Sequence, residues 1–249
     1  MKEKRDNFVE FWIGHNRTGK SVNLREQAIA YKKKHPKKKI IAFDPQNRFK
    51  DIADEFIFDE NWEQYLVAKG NGLTISDTYF ILDDYRALME KDTTPKPFVR
   101  MLMQRNEYGL DFSLVCHNPK FILERVSYYT THVNLFYSSG GDESFKSSGK
   151  IMNIETIMQC RKVINTYVTE YDKGEHKSVS KSGKNTFPFI RLDFEEEKLS
   201  LLNMPHAIVN GKEIKIKPKK KDEVIQKVKQ EVEEESNENF IEDSAATDI

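Results

Sequence analysis

Gly14, His15, Asn16, Arg17, Thr18, Gly19, Lys20 and Ser21 match the pattern G-x-x-x-x-G-K-[ST] in full. Such a loop wraps phosphates in successive backbone N–H groups, and its glycines let the chain approach closely. Lys20 is then expected to reach the β- and γ-phosphates of ATP, and the Ser21 hydroxyl to ligate Mg²⁺. A second constellation is Asp83-Asp84, directly after the apolar run Tyr79-Phe80-Ile81-Leu82. An acid ending a strand puts a carboxylate at the sheet edge facing a phosphate loop. Asp83 is therefore expected to orient the metal, and Asp84 to polarise the attacking water. By itself a strand with an acidic turn is common; the phosphate loop gives this one its meaning. A third is His117-Asn118-Pro119, after the apolar run 112–116. Asn-Pro is a favoured turn initiator, but a polar tip here can also bond the γ-phosphate or the lytic water, so Asn118 or His117 is expected as a sensor.

These groups meet only if strands deliver them to one edge. Residues 8–137 alternate short apolar runs with longer amphipathic segments. Strands are predicted over 8–13, 40–43, 55–58, 78–82, 112–116 and 132–137, and helices over 20–34, 61–68, 95–108 and 120–130. In the first helix Val22, Leu24, Ala28, Ile29 and Tyr31 fit a helical stripe only partly, so the loop before it is the better guide. Strands alternating with helices imply an α/β fold with a mostly parallel central sheet flanked by helices and a ligand site at the carboxyl ends of its strands. A Gly/Ser-rich loop is expected over 138–150. The alternation of Val163, Asn165, Tyr167, Thr169 and Tyr171 predicts a strand within 159–171. Another β run covers 186–194, and an exposed basic hairpin tip 173–185. These would extend the sheet antiparallel at its edge. One P-loop ATPase domain is thus expected over 1–210, with a core at 8–137 and a β-rich extension at 151–210. A charge-segregated tail, 211–249, is expected to be disordered.

The chain has 249 residues, and 40 Lys+Arg balance 40 Asp+Glu. No single-sign field covers it, so any nucleic-acid contact must come from local basic patches. Candidates are the triplets Lys32-Lys33-Lys34 and Lys37-Lys38-Lys39 and the loop 173–184. Cys116 and Cys160 are the only cysteines, which excludes a disulfide framework and favours a reducing compartment. No apolar run approaches the roughly 18 residues of a membrane span, and the polar start leads into no signal-peptide core. A soluble, cytoplasmic protein is expected. The histidines lack metal-ligand spacing, so no structural zinc is expected. No nucleophile triad is apparent either.

Taken together, these residues resemble the FtsK/HerA superfamily of P-loop ATPases, particularly its viral genome-packaging and zonula-occludens-toxin-like branches. The resemblance rests on residues 14–21, Phe43-Asp44-Pro45, Asp83-Asp84, and the stretch 104–111 leading to His117-Asn118-Pro119. It covers 8–137, a little over half the chain. Two motifs depart from the family: Asp84 stands where Glu is usual, and His117 and Asn118 stand where the sensor is Gln. The resemblance implies ATP hydrolysis driving sequence-independent DNA translocation by a ring, often a hexamer, in genome packaging. It also implies an arginine supplied in trans. Arg105 is the first candidate, with Arg100, Arg125 and Arg161 behind it. A capsid or assembly partner would be engaged through the tail. Two alternatives stay open: a phosphotransferase acting on a small substrate, and a nucleotide-gated virion assembly or extrusion protein.

Overall fold

A computed structural model describes residues 7–57, 64–65, 67, 75–84, 94–119, 122–139, 154–170, 178–179 and 185–203. The chain divides into two units, Met1–Lys217 and Pro218–Ile249, and every described residue lies in the first. Nearly all of the loop expected at 138–150, most of the basic tip at 173–185 and the tail at 211–249 lie outside the described residues. Of the helix expected over 61–68, residues 64–65 and 67 are described, and they are helical.

In chain order, β1 (Val9–Ile13), α1 (Lys20–Lys34), β2 (Lys39–Phe43), β3 (Glu55–Ile57) and β4 (Thr78–Leu82) come first. Then follow α2 (Lys96–Met103), α3 (Arg105–Tyr108), β5 (Leu110–Cys116), α4 (Glu124–Ser127) and β6 (His132–Leu135). After these come α5 (Ile154–Glu170), β7 (Ser178–Val179), β8 (Asn185–Thr186), β9 (Phe189–Asp193) and β10 (Lys198–Leu202). Eight strands form one sheet in the order β10-β9-β6-β1-β5-β4-β2-β3, and β7 pairs with β8 apart from it. From β6 to β3 every pairing is parallel. β9 joins β6 antiparallel, and β10 joins β9 likewise. The fold is therefore the expected P-loop NTPase type of α/β fold, a mostly parallel sheet with flanking helices and an antiparallel edge.

The central strands β1, β4 and β5 are buried along their whole length, as strands covered on both faces must be. On one face, α1 packs Leu24, Ala28 and Tyr31 against Trp12, Ile40, Tyr79 and Ile81. Val22 stays exposed, which is why the stripe reads poorly in sequence. On the other, Phe80 and Phe112 stack at 5.0 Å and Phe98 of α2 meets Phe112 edge-on at 5.7 Å. Truncating a ring so enclosed costs about 3–5 kcal/mol.

Polar residues inside this core are paired. Glu10, fully buried, accepts from Trp12 Nε1 (2.9 Å), Asn134 Nδ2 (3.2 Å), Arg191 Nη1 (3.1 Å), Gln27 and Ser113. One carboxylate thereby ties β1 to α1, β5, β6 and β9. At the amino edge of the sheet Asp111, also fully buried, accepts from Lys38 Nζ (2.7 Å), Asn7 Nδ2 (3.1 Å), Phe8 N (3.1 Å) and the Tyr31 hydroxyl.

Three expectations need correction. The strand predicted within 159–171 is part of the helix α5. Its buried positions are Ile157, Cys160, Arg161, Ile164, Tyr167 and Val168, a helical period that packing selected over the alternation of Val163, Asn165, Tyr167 and Thr169. Among the described residues of the extension, the chain is helical over Ile154–Glu170, and the strands begin with β7. The helix predicted over 95–108 breaks at Gln104 into α2 and α3, and Gly109, at φ 69°, ends α3. Of the helix predicted over 120–130, only α4 forms among the described residues. None of the helices among the described residues is long and apolar enough to cross a membrane.

Candidate functional site

Strand register sets the site. Ile13 pairs with Cys116, Leu82 with Leu114, and Phe43 with Leu82. The residues that follow each strand, Gly14, His117, Asp83 and Asp44, therefore leave the sheet at one edge, the carboxyl ends of the parallel strands.

The loop 14–21 is anchored first by backbone. Gly14 N donates to Cys116 O (3.3 Å), and His15 N to Tyr137 O (2.9 Å). It then turns through Arg17 at φ 64° and Gly19 at φ 89°. Gly19 is required twice over: its backbone is left-handed, and a Cβ there would meet the Phe187 ring at 2.0 Å. Thr18 Oγ closes the turn on His15 O (2.8 Å). α1 starts with no side-chain cap and no acid in its first turn, so its first N–H groups face the loop ready for an anion.

Lys20, only 5% exposed, donates to Gly14 O (2.8 Å) and His15 O (2.7 Å) and lies 3.5 Å from His117 Nδ1. Burial lowers its pKa to about 8, against the pull of Cys116 and Asp83. Asp83 is 4% exposed. Ser21 Oγ donates to its Oδ1 (3.2 Å), and Arg48 Nη1 to its Oδ2 (3.2 Å). Burial raises the Asp83 carboxyl to about 6; Asp44 adds to the rise, and Arg48 and Ser21 oppose it. Asp84 sits at φ 59°, a left-handed conformation that Asp tolerates better than most residues. His117, half-buried, has its pKa lowered by burial and then by the Lys20 charge.

Lys20, Ser21, Arg48, Asp83, Asp84 and His117 line one cavity of about 410 Å³. His15 and Gly14 shape the loop without lining it, while Asn16, Arg17, Thr18 and Gly19 form part of its wall. Asn118, the residue after His117, does not line it. A hydroxyl and a carboxylate oxygen in mutual contact suit a hard ion. Among the described residues no trio of His, Cys, Asp or Glu could hold a metal. A cation at Ser21 and Asp83 would thus fill its shell with water and phosphate oxygens, as Mg²⁺ does.

The other named residues lie elsewhere. Arg105 sits by the amino end of β1, across the sheet from the phosphate loop, donating to Asn7 O (3.1 Å) and Leu102 O (3.3 Å). Arg161 is 5% exposed and bonded to Ser138 through Nε (2.9 Å) and Nη2 (3.1 Å), so it cannot reach outward. Arg100 is exposed and Arg125 half-buried. Of the two lysine triplets, Lys32 pairs with Asp54, Lys38 with Asp111 and Lys39 with Glu55, leaving Lys33, Lys34 and Lys37 on the surface.

Two residues at the site were not singled out from sequence. Arg48 follows Asp44-Pro45, and its only sequence signal is a place just past the end of β2. Phe187 carries no local signal; the antiparallel edge brings it onto Gly19 from the far end of the domain.

No protein-family model matches the chain, and no curated protein matches it in sequence. Solved structures do share the fold. The genome-packaging NTPase B204 of Sulfolobus turreted icosahedral virus 2, in complex with AMPPCP, superposes at TM-score 0.57 with 14% identity, covering 78% of this chain and 96% of that one. The DNA-packaging ATPase B204 of Sulfolobus turreted icosahedral virus gives 0.53 with 16% identity, covering 80% and 98%. The cytoplasmic domain of the type VII secretion ATPase EccC of Thermomonospora curvata gives 0.51 with 12% identity, covering 81% of this chain and 24% of that one. These neighbours are FtsK/HerA-type P-loop ATPases, and at such identities the likeness is one of fold.

Proposed function

We propose that the chain is a Mg²⁺-dependent ATPase whose hydrolysis drives DNA translocation in viral genome packaging. The observation that carries this reading is the convergence of Lys20, Ser21, Asp83, Asp84 and His117 on one cavity at the sheet's carboxyl edge. The fold shared with the two B204 structures, both named for packaging, supports the coupling to DNA.

In this reading the loop N–H groups and the start of α1 take the phosphates. Lys20 exchanges the Gly14 and His15 carbonyls for β- and γ-phosphate oxygens, partners that favour the ammonium form which burial disfavours. Held at Ser21 and Asp83, Mg²⁺ would supply charge neutralisation across the β- and γ-phosphates. Asp84 accepts the proton of the attacking water. His117, kept neutral by burial and by Lys20, holds the γ-phosphate side of the cavity and changes partner when that phosphate leaves, with Asn118 beside it relaying the change. Arg105, on a different edge from its own phosphate loop, serves the next subunit of a homo-oligomeric ring. DNA is gripped without sequence preference by Lys33, Lys34 and Lys37 and by the loop 173–184. The tail recruits the capsid, and the protein works in the host cytoplasm.

Steady-state ATPase with and without long double-stranded DNA, at low and moderate salt, tests the reading. DNA stimulation that fades with salt is expected, with Lys20→Ala reduced to background. Turnover indifferent to DNA would turn the reading toward a phosphotransferase. Nucleotide binding without turnover would turn it toward a nucleotide-gated assembly protein.

A further inference from the structure

The loop after β2 is built to hold one side chain. Asp44, 2% exposed, accepts from Gln46 N through Oδ1 (2.9 Å) and from Phe49 N through Oδ2 (2.9 Å). Asn47 makes the turn at φ 57°, and Phe49 is sunk fully in the core. Between these fixed points stands Arg48. Its Nη1 donates to Ser21 Oγ (2.6 Å) and Asp83 Oδ2 (3.2 Å), and its Nη2 bonds Gln46 Oε1. The guanidinium thus occupies the angle between the two oxygens that the metal reading requires.

We propose that Arg48 is the positioning cation of the metal site: it holds Ser21 and Asp83 together before a divalent ion arrives, and the ion must displace it. The inference rests on the Mg²⁺-binding reading of Ser21 and Asp83. Two cations cannot share those oxygens, because each needs the same lone pairs and they repel at contact distance. Asp83 is buried and cannot turn away, whereas the Arg48 side chain is 43% exposed and can swing into solvent with its backbone held in place. Arg48 therefore holds the two oxygens in place, and it lowers apparent metal affinity by the fraction of molecules in which it occupies the site.

The test titrates Mn²⁺ into the full chain with saturating ADP, following loss of the free-ion electron paramagnetic resonance signal. Mant-ADP fluorescence under a Mg²⁺ titration is read alongside. Arg48→Ala is expected to lower the half-saturating metal concentration about 5-fold or more, with the melting temperature little changed. Arg48→Lys, which keeps the competing charge, should stay near the wild-type midpoint. Arg48→Gln, which keeps length without charge, should follow Arg48→Ala and stands in for it if that variant folds poorly. An unchanged or raised midpoint in both neutral variants, with the wild type still binding metal, would overturn the role of Arg48 alone. Metal-independent nucleotide binding in every variant, wild type included, would overturn the metal reading and the inference with it.

Discussion

The two edges of this sheet each bury a carboxylate beside a lysine, and they treat it differently. At the amino edge, Asp111 is enclosed by Lys38, Asn7, the Phe8 amide and Tyr31, and Lys38 also donates to Gly109 O (2.7 Å). The charges there are compensated by the fold itself. At the carboxyl edge, Asp83 has Ser21 and a half-exposed Arg48, and Lys20 is turned back onto loop carbonyls. Burial there pushes the acid up to about 6 and the amine down to about 8. A compensated buried pair locks structure; an undercompensated one keeps free energy in reserve for a ligand that completes it. The difference separates scaffold from site within one sheet.

Substitution should split the two edges. Asp111→Ala leaves Lys38 buried without its carboxylate and is expected to cost about 3–5 kcal/mol of stability by urea unfolding, with nucleotide affinity of the folded protein unchanged. Lys20→Ala should do the reverse, lowering nucleotide affinity about 100-fold or more while the melting temperature moves by a few degrees. If both variants lost stability alike, the contrast between the edges would fail.

A smaller effect is expected where the antiparallel edge meets the phosphate loop. Gly19→Ala forces a left-handed alanine against Phe187, costing at least about 1–2 kcal/mol for the backbone alone. Phe187→Ala should relieve the ring contact and not the backbone strain, so in a double-mutant cycle the pair should cost less than the sum of the singles.

The smallest effect is on pH. In the proposed reading, the raised Asp83 pKa means that below about 6 a proton would compete with the metal, and the lowered Lys20 pKa means that above about 8 the free chain would lack the charge proposed to bind phosphate. Mg²⁺-dependent nucleotide affinity should be highest between these values and fall on both sides. The sign for folding is opposite to the acid limb: with Asp83 protonated more readily when folded, its contribution to stability declines as pH rises from 3.8 toward 6. A flat binding profile from pH 5 to 9 would remove the electrostatic part of the contrast.

Much of the site was legible because its chemistry is local. The loop 14–21 carries its own turn, anion donors and helix start in consecutive residues, and Asp83 and His117 lie one step past runs whose burial on both faces identifies them as strands. α5 is not legible in this way, because Val163, Asn165, Tyr167 and Thr169 satisfy a period of two as well as they satisfy a helix, and only the buried positions decide between the two. Arg48 and Phe187 were not singled out because their roles are relations to residues far along the chain. Arg48 meets Ser21 and Asp83 across three elements, and Phe187 meets Gly19 only because β9 pairs with β6.

By itself, the sequence determined that this chain forms strands alternating with helices around a phosphate loop, since apolar periodicity and the needs of a glycine turn are written residue by residue. The tertiary structure alone decided that β5 lies between β1 and β4 and that Lys20 and Asp83 are buried enough to shift in opposite directions. It also decided that Arg48 fills the angle between Ser21 and Asp83. Burial and contact between distant segments are properties of the packed chain, and a charge's energy depends on how much water and which partners surround it.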